Sequence, residues 1–454
     1  MLLRIVFMRI EIKERATVKK IISKVINLDL KSSLNGISID SRKIEKNDLF
    51  IAMKGKRCHG SEFVNRDILN KVGLIISDKF IDSPKAIKVD DCSDFLKKIA
   101  CNFRDKLKMK VVGITGTNGK TSTKELIVRF LKTKYKVNYS KGNHNSMTSL
   151  PLSILGFNCD ADYCVLEMGA SKNGEIEELC NIAKPNIGLI TNISKSHLDG
   201  YKDFNSLVNT KMALYESVTK NKGTFFLNLD DINIEVQDSY NDIVTYSYLN
   251  SQSDYFADLT KIQNGTITIN EAVFNLKYKS YVFSYNLLAS YSLASSLGVD
   301  NSNISNSLFD FSFPKGRGDI IKKGNTTIID DTYNANLASM QSGILNLKLK
   351  KNKSQDIVLI LGDMLDLGKD SLSLHSELGK YINGLNFIDS VYCVGEQSSY
   401  VIKNIDNQKI NLQLFKDINS IINFLNKQDN SNTIFYIKGS RGMYMEKIIE
   451  KVFN

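Results

Sequence analysis

Val111-Val112-Gly113-Ile114-Thr115-Gly116-Thr117-Asn118-Gly119-Lys120-Thr121 is the stretch whose reading decides the fold. The apolar run Val111 to Ile114 predicts a buried strand. Thr121 to Thr133 has helical spacing, with Leu126, Ile127, Phe130 and Leu131 on one side. Strand, glycine loop and helix start, in that order, make a phosphate cradle. Backbone N–H groups at the helix N-terminus point at the anion, and glycine lets the backbone approach it. Lys120 is placed to reach β- and γ-phosphates, and the Thr121 hydroxyl to sit on Mg²⁺. The strict spacing wants glycine where Ile114 stands, so Gly113 and Gly116 are read as its substitutes. An ordinary glycine turn is the competing reading; Gly-Lys-Thr at the helix start weighs against it.

Working outward, 454 residues imply roughly two to four domains with ample core. The net charge of +11 is compatible with nucleic acid, a membrane surface, anionic small substrates, or simply solvated lysines. No basic block with interleaved aromatics stands out, so nucleic acid is not expected as a partner. The seven cysteines are scattered with no Cys-x-x-Cys, as reduced thiols of a cytoplasmic protein would be. Met1 to Lys13 is apolar but broken by Arg4, Arg9, Glu11 and Lys13. It reads as a strand rather than a signal core, with Met8 an alternative start. No apolar run approaches the ~18 residues of a membrane span.

Thr115 to Thr121, T-G-T-N-G-K-T, resembles the nucleotide loop of the Mur ligase family. Those are ATP-dependent amide-forming enzymes of peptidoglycan precursor synthesis. The resemblance can be followed along the chain. In residues 1–107, read as a small α/β unit, Asp40-Ser41-Arg42 precedes a half-buried strand, Asp48 to Met53, that runs on to Gly55. On chemistry alone the first three are a polar turn. The pattern resembles the family's domain that binds the uridine-diphosphate end of the substrate, which implicates Ser41 and Arg42. The family's Asp-Gly-His is here His59-Gly60-Ser61.

Residues 108–313 are read as the central ATP-binding domain. Gly142-Asn143-His144-Asn145 resembles a substrate loop of the family and implicates Asn143 and Asn145, with Ser146 and Ser149 standing for the usual Asn and Gly. Glu167 ends the apolar run Tyr163 to Leu166, at the edge where α/β folds bind ligands. A carboxylate there suits the hard cation Mg²⁺. Glu167-Met168-Gly169-Ala170 also matches the family. His197, in a polar loop after the strand Ile187 to Ile190, resembles a family magnesium ligand. Lys211 sits where the family carries a carbamylated lysine, which supplies anionic oxygen to a second Mg²⁺; N-carboxylation of Lys211 is expected. Asn286 is implicated in adenine contact, although Ala289 replaces a second family Asn.

Lys315-Gly316-Arg317-Gly318 marks the step into residues 314–454, where strands alternate with helices as in a small Rossmann-like domain. Arg317 suits a γ-phosphate, being planar and always charged. Three loops leave strand ends: Asp330 to Asn336, Gly362 to Gly368, and Lys438 to Met443. Such loops on one sheet edge form a crevice. By resemblance Asp331, Tyr333, Asn334 and Asn336 belong to the nucleotide side and Lys438 and Arg441 to the rim. The expected fold is therefore α/β in three domains, the central sheet mostly parallel. The resemblance implies joining of D-alanyl-D-alanine to a UDP-muramoyl tripeptide through an acyl phosphate. ATP and Mg²⁺ are the implied cofactors, small molecules the partners, and a monomer the expected state.

Overall fold

The computed structural model describes residues 8–55, 57–237, 239–351 and 355–453. The expected N-terminal strand is described only from Met8 on, as Arg9–Glu11; Met1 to Phe7 lie outside the described residues. Three separate sheets, of five, nine and six strands, organise the chain.

The first sheet runs Arg9–Glu11, Gly36–Ser38, Asp48–Ala52, Val72–Ser77, Ala86–Lys88, and only its first pair is antiparallel. Asp48–Ala52 was expected to be half-buried; every residue in it is buried. It is the central strand of a mostly parallel sheet, covered on both faces, so it carries an apolar run instead of an alternation. Arg9 forks onto the buried Asp48 carboxylate at 2.7 and 2.9 Å and holds the start of that strand.

The second sheet carries Lys110–Thr115, flanked in parallel by Tyr163–Glu167 and Ile187–Ile190. Side chains alternate across it. Val111 joins the core under the helices Glu175–Ala183 and Phe204–Lys220, while Val112 and Ile114 join the core under Lys120–Leu131 and Tyr281–Ser296. Gly113 lies inside this strand, as the apolar run predicts, and so does not stand in for the loop's missing glycine. A Cβ there would come within 2.8 Å of Leu214, so the glycine serves the close packing of a helix on the sheet. The far side of this sheet ends in a short antiparallel meander, Tyr255–Asp258, Thr266–Ile269 and Ala272–Asn275.

The third sheet runs Asp319–Lys323, Thr326–Asp330, Thr433–Lys438, Asp356–Gly362, Ser390–Val394, Asn411–Phe415. All but the first pair are parallel. The three polar loops expected to share one edge do so, because the strands that deliver them are neighbours. Sequence reading missed the two outermost strands, Asp319–Lys323 and Asn411–Phe415. Both are partly exposed edge strands whose mixed polarity carries little periodic signal.

Candidate active site

The loop from Gly116 to Gly119 is bent by two left-handed glycines, with φ of 141° and 80°. A Cβ on Gly116 would overlap the Thr191 hydroxyl, and one on Gly119 would lie 2.5 Å from Asn286 Oδ1. Neighbouring strand ends brace the loop. Thr117 N donates to the Asn192 carbonyl at 2.7 Å, Asn118 N to Asn192 Oδ1 at 3.0 Å, and Thr191 Oγ1 to the Asn118 carbonyl at 2.6 Å. Thr191-Asn192 opens the segment whose resemblance to the family implicates His197, but neither residue was given a role of its own from sequence.

Lys120 Nζ donates to the carbonyls of Gly116 and Thr117 at 2.7 and 2.9 Å. Burial pulls its pKa down to about 8, against the raising effect of Glu167, with Arg317 lowering it further. Its hydrogen bonds over the loop all go to carbonyl dipoles, which a bound phosphate would replace. Thr121 Oγ1 donates to Glu167 Oε2 at 2.8 Å, and Asn145 Nδ2 to Glu167 Oε1 at 2.7 Å. Glu167 itself is 1% exposed.

Lys211 is also buried, and its Nζ donates to the Gly116 carbonyl at 3.1 Å. It forms no ion pair among the described residues. Desolvation, helped by the nearby Lys120 charge, lowers its pKa to about 7. A buried amine that deprotonates near neutrality is chemically suited to capture CO₂, since only the free amine is nucleophilic. His197 takes a left-handed backbone, φ 50°. Its Nδ1 stands 3.4 Å from Asp366 of the third sheet's loops, yet is buried without a hydrogen-bond partner.

Glu167, Thr121, the orphaned His197 nitrogen and Lys211 all line one cleft of about 870 Å³. Among the described residues no three His, Cys, Asp or Glu side chains form a ready-made metal cage. The hydroxyl and carboxylate here are the hard oxygen donors Mg²⁺ takes when water and substrate phosphates complete its shell. The residues present fit that ion.

The third sheet's loops form the opposite wall of the cleft. Asn336 and Asn118 exchange side-chain amide bonds at 2.9 and 3.3 Å, tying the phosphate loop to the third unit. Asn336 also caps the helix Leu337–Leu347 by accepting from Ser339 N. Arg317 lies over the Tyr333 ring at 3.9 Å. Asp331 Oδ2 accepts from Tyr436 OH at 2.8 Å and from Lys438 Nζ at 2.7 Å, and Lys438 also donates to the Asn334 carbonyl at 2.9 Å. Lys438 was expected at the rim. It is 3% exposed, because it ends a central strand and lies beneath the Asp331–Ala335 loop.

Gly116 to Thr121, Asn143, Asn145, Glu167, His197, Lys211, Asn286, Arg317, Asp331, Tyr333, Asn334, Asn336 and Lys438 all line the cleft. Ser41, Arg42 and Arg441 do not. Ser41 and Arg42 belong to the first sheet's unit, where Arg42 forks onto Asp40 at 3.0 and 3.2 Å. Arg441 pairs with Glu446 at 3.1 Å. Sequence reading also missed Tyr248 and Tyr285, which line the cleft as a stacked pair with centroids 4.4 Å apart. They come from different elements, so no local pattern could join them.

A phosphate cradle facing basic and polar loops of a second parallel sheet defines a nucleotide-dependent ligase, and the sequence agrees. Models described as Mur ligase middle domain, Mur ligase glutamate ligase domain, and Mur ligase family catalytic domain match residues 114–299, 316–441 and 33–79. The chain belongs to the Mur ligase family. A UDP-N-acetylmuramoyl-tripeptide–D-alanyl-D-alanine ligase of Rickettsia prowazekii is 30% identical over 455 residues, covering 95% of this chain and 98% of the relative. A MurF crystal structure from Acinetobacter baumannii superposes with a TM-score of 0.85 at 25% identity, covering 96% of this chain and 98% of that one. MurF ligase from Thermotoga maritima in complex with ADP gives 0.78 at 28% identity, with 92% and 96% covered.

Proposed function

We propose that this chain uses ATP to join D-alanyl-D-alanine to UDP-N-acetylmuramoyl tripeptide, giving the pentapeptide, ADP and phosphate in peptidoglycan precursor synthesis. The observation that carries the reading is the convergence of Lys120, Thr121, Glu167, Lys211 and Arg317 on one cleft. Similarity to ligases of that name over nearly the whole chain supports it.

A carboxylate is a poor acyl donor. Its oxygen attacks the γ-phosphorus of ATP, the bond to ADP breaks, and an acyl phosphate forms. The free amine of the dipeptide then attacks the acyl carbon, phosphate leaves, and the amine loses a proton. Lys120 and Arg317 offset the charge of the moving phosphoryl group, a task of position and electrostatics. Mg²⁺, when bound, would add positive charge there; Thr121 and Glu167 would hold one ion, and His197 with N-carboxylated Lys211 another. Asn286, at the loop's Gly119, and Tyr333, Asn334 and Asn336 opposite, are the proposed nucleotide contacts. Asn143 and Asn145 serve the acceptor side. Asp331 and Lys438, paired with each other, shape the wall between them. The unit of residues 1–107, through Ser41 and Arg42, is the proposed seat of the uridine diphosphate, with 108–313 binding ATP and 314–454 closing the cleft. Arg441, paired with Glu446 outside the cleft lining, is proposed only as a distant rim contact.

No helix among the described residues is long and apolar enough to cross a membrane. The nucleotide substrates and unpaired thiols support a cytoplasmic site of action.

The test is phosphate release from ATP, Mg²⁺ and UDP-muramoyl tripeptide, with and without D-alanyl-D-alanine, using L-lysine and meso-diaminopimelate forms. Release that needs the dipeptide, with a pentapeptide mass, is the expected result. ATP binding with release indifferent to the dipeptide would point to another acceptor.

A further inference from the structure

Lys124 lies one helical turn beyond Lys120 and is completely buried. Its side chain belongs to no step above. An ammonium in that position persists only if its three donors are all met. They are: Nζ donates to the Ser140 carbonyl at 2.7 Å and the Gly142 carbonyl at 2.8 Å, and pairs with Glu125 Oε1 at 2.8 Å. Two of those three partners lie on the segment that follows the edge strand Val137–Tyr139 and leads to Asn145. The same segment holds Glu167 twice, once by its backbone N–H and once by its carboxylate. Ser140 Oγ accepts from Glu167 N at 3.2 Å, and Asn145 Nδ2 donates to Glu167 Oε1. Asn145 is itself seated by its carbonyl, which accepts from Gly169 N at 2.8 Å.

We propose that Lys124 is a positioning residue: from the nucleotide helix it clamps the Ser140–Asn145 segment, so that Asn145 aims Glu167 at the ion bound with the nucleotide. The inference rests on the ATP–Mg²⁺ reading of the cleft. Thr121 and Lys124 leave the same helix and reach Glu167 from opposite ends, one directly and one through the segment. The carboxylate is thereby fixed relative to the phosphate loop before any ligand arrives, as partners behind a metal ligand commonly do.

The test is the affinity of ADP, which binds without turnover, measured by calorimetry on the full chain in Mg²⁺ and in EDTA. Lys124→Met keeps the side chain's length and removes its charge. It is expected to reduce the Mg²⁺-dependent gain in affinity by about tenfold. Binding in EDTA, which reads the phosphate loop alone, should change by less than about twofold on the same argument. Asn145→Ala, at a partly exposed loop position, should cause the same selective loss. The double variant should be no worse than either single one, since both cut one chain of contacts. A Lys124→Met chain that keeps the full Mg²⁺ gain would overturn the proposal alone, as would an equal fall in both conditions. A wild-type chain whose ADP affinity ignores Mg²⁺ would overturn the ATP–Mg²⁺ reading and the clamp with it.

Discussion

Two lysines of the cleft are held in opposite chemical roles by their surroundings. Lys120 is partly open and touches loop carbonyls that a phosphate would displace. Lys120→Ala should lower dipeptide-dependent phosphate release by at least about a hundredfold, the scale of losing one charge-stabilising donor. Lys211 is sealed against the sheet with a pKa lowered to about 7 from 10.5. In the unfolded chain it would titrate near its ordinary value, so from about pH 7 up to 10.5 the unfolded state holds more protons and stability rises with pH. Below that window the fold carries a buried, unpaired charge. Lys211→Met should therefore raise the melting temperature of the CO₂-free protein most at and below pH 7. That advantage should shrink as pH climbs toward 10.5. A pH-independent difference between the two proteins would show that Lys211 stays charged in the fold.

At the scale of elements, the helix Leu337–Leu347 shows how one glycine sets a loop. Gly343 faces the fully buried Tyr436 ring, and a Cβ on it would overlap the phenol oxygen. That hydroxyl donates to Asp331, which also receives Lys438. Gly343→Ala should push the ring aside and destabilise the third unit by about 1–3 kcal/mol, an overpacking cost. Thermal unfolding would register it, and a melting temperature equal to wild type would refute the contact. The helix Ser149–Ile154 is entered through a local pair of serines. Ser146 and Ser149 exchange bonds at its start: Ser146 N donates to Ser149 Oγ at 3.0 Å and Ser149 N to Ser146 Oγ at 3.3 Å. The Ser146 hydroxyl thus satisfies the N–H of the helix's first residue, and the Ser149 hydroxyl an N–H of the turn before it.

Across the whole molecule, the second and third sheets meet through few polar contacts. Asn118 with Asn336 is the pair closest to the phosphate loop. Replacing either by Ala should lower kcat/KM, and a double-mutant cycle should return a coupling of about 1 kcal/mol. Strict additivity would mean that the pair does not link the units functionally. His197 and Asp366 bring the same two units together beside it, with Asp199 N reaching the Asp366 carbonyl at 3.4 Å. None of these pairings could be read from the chain, since Asn118 and Asn336 lie 218 positions apart. What could be read was local. T-G-T-N-G-K-T announced a strand, a phosphate loop and a helix, because that chemistry needs glycine backbone, a lysine and a hydroxyl in immediate succession. Apolar runs announced the buried strands, and their polar ends announced Glu167, the loop from Asp330 to Asn336, and Lys438. Tertiary structure alone decided that Gly113 serves helix packing, that Lys438 is buried under Asp331, and that Tyr248 stacks on Tyr285. It also decided that Lys124 reaches the segment holding Glu167. The division has a physical cause. Backbone conformation and burial period are properties of neighbours along the chain, whereas a side chain's partner and dielectric depend on which distant surfaces the fold brings together.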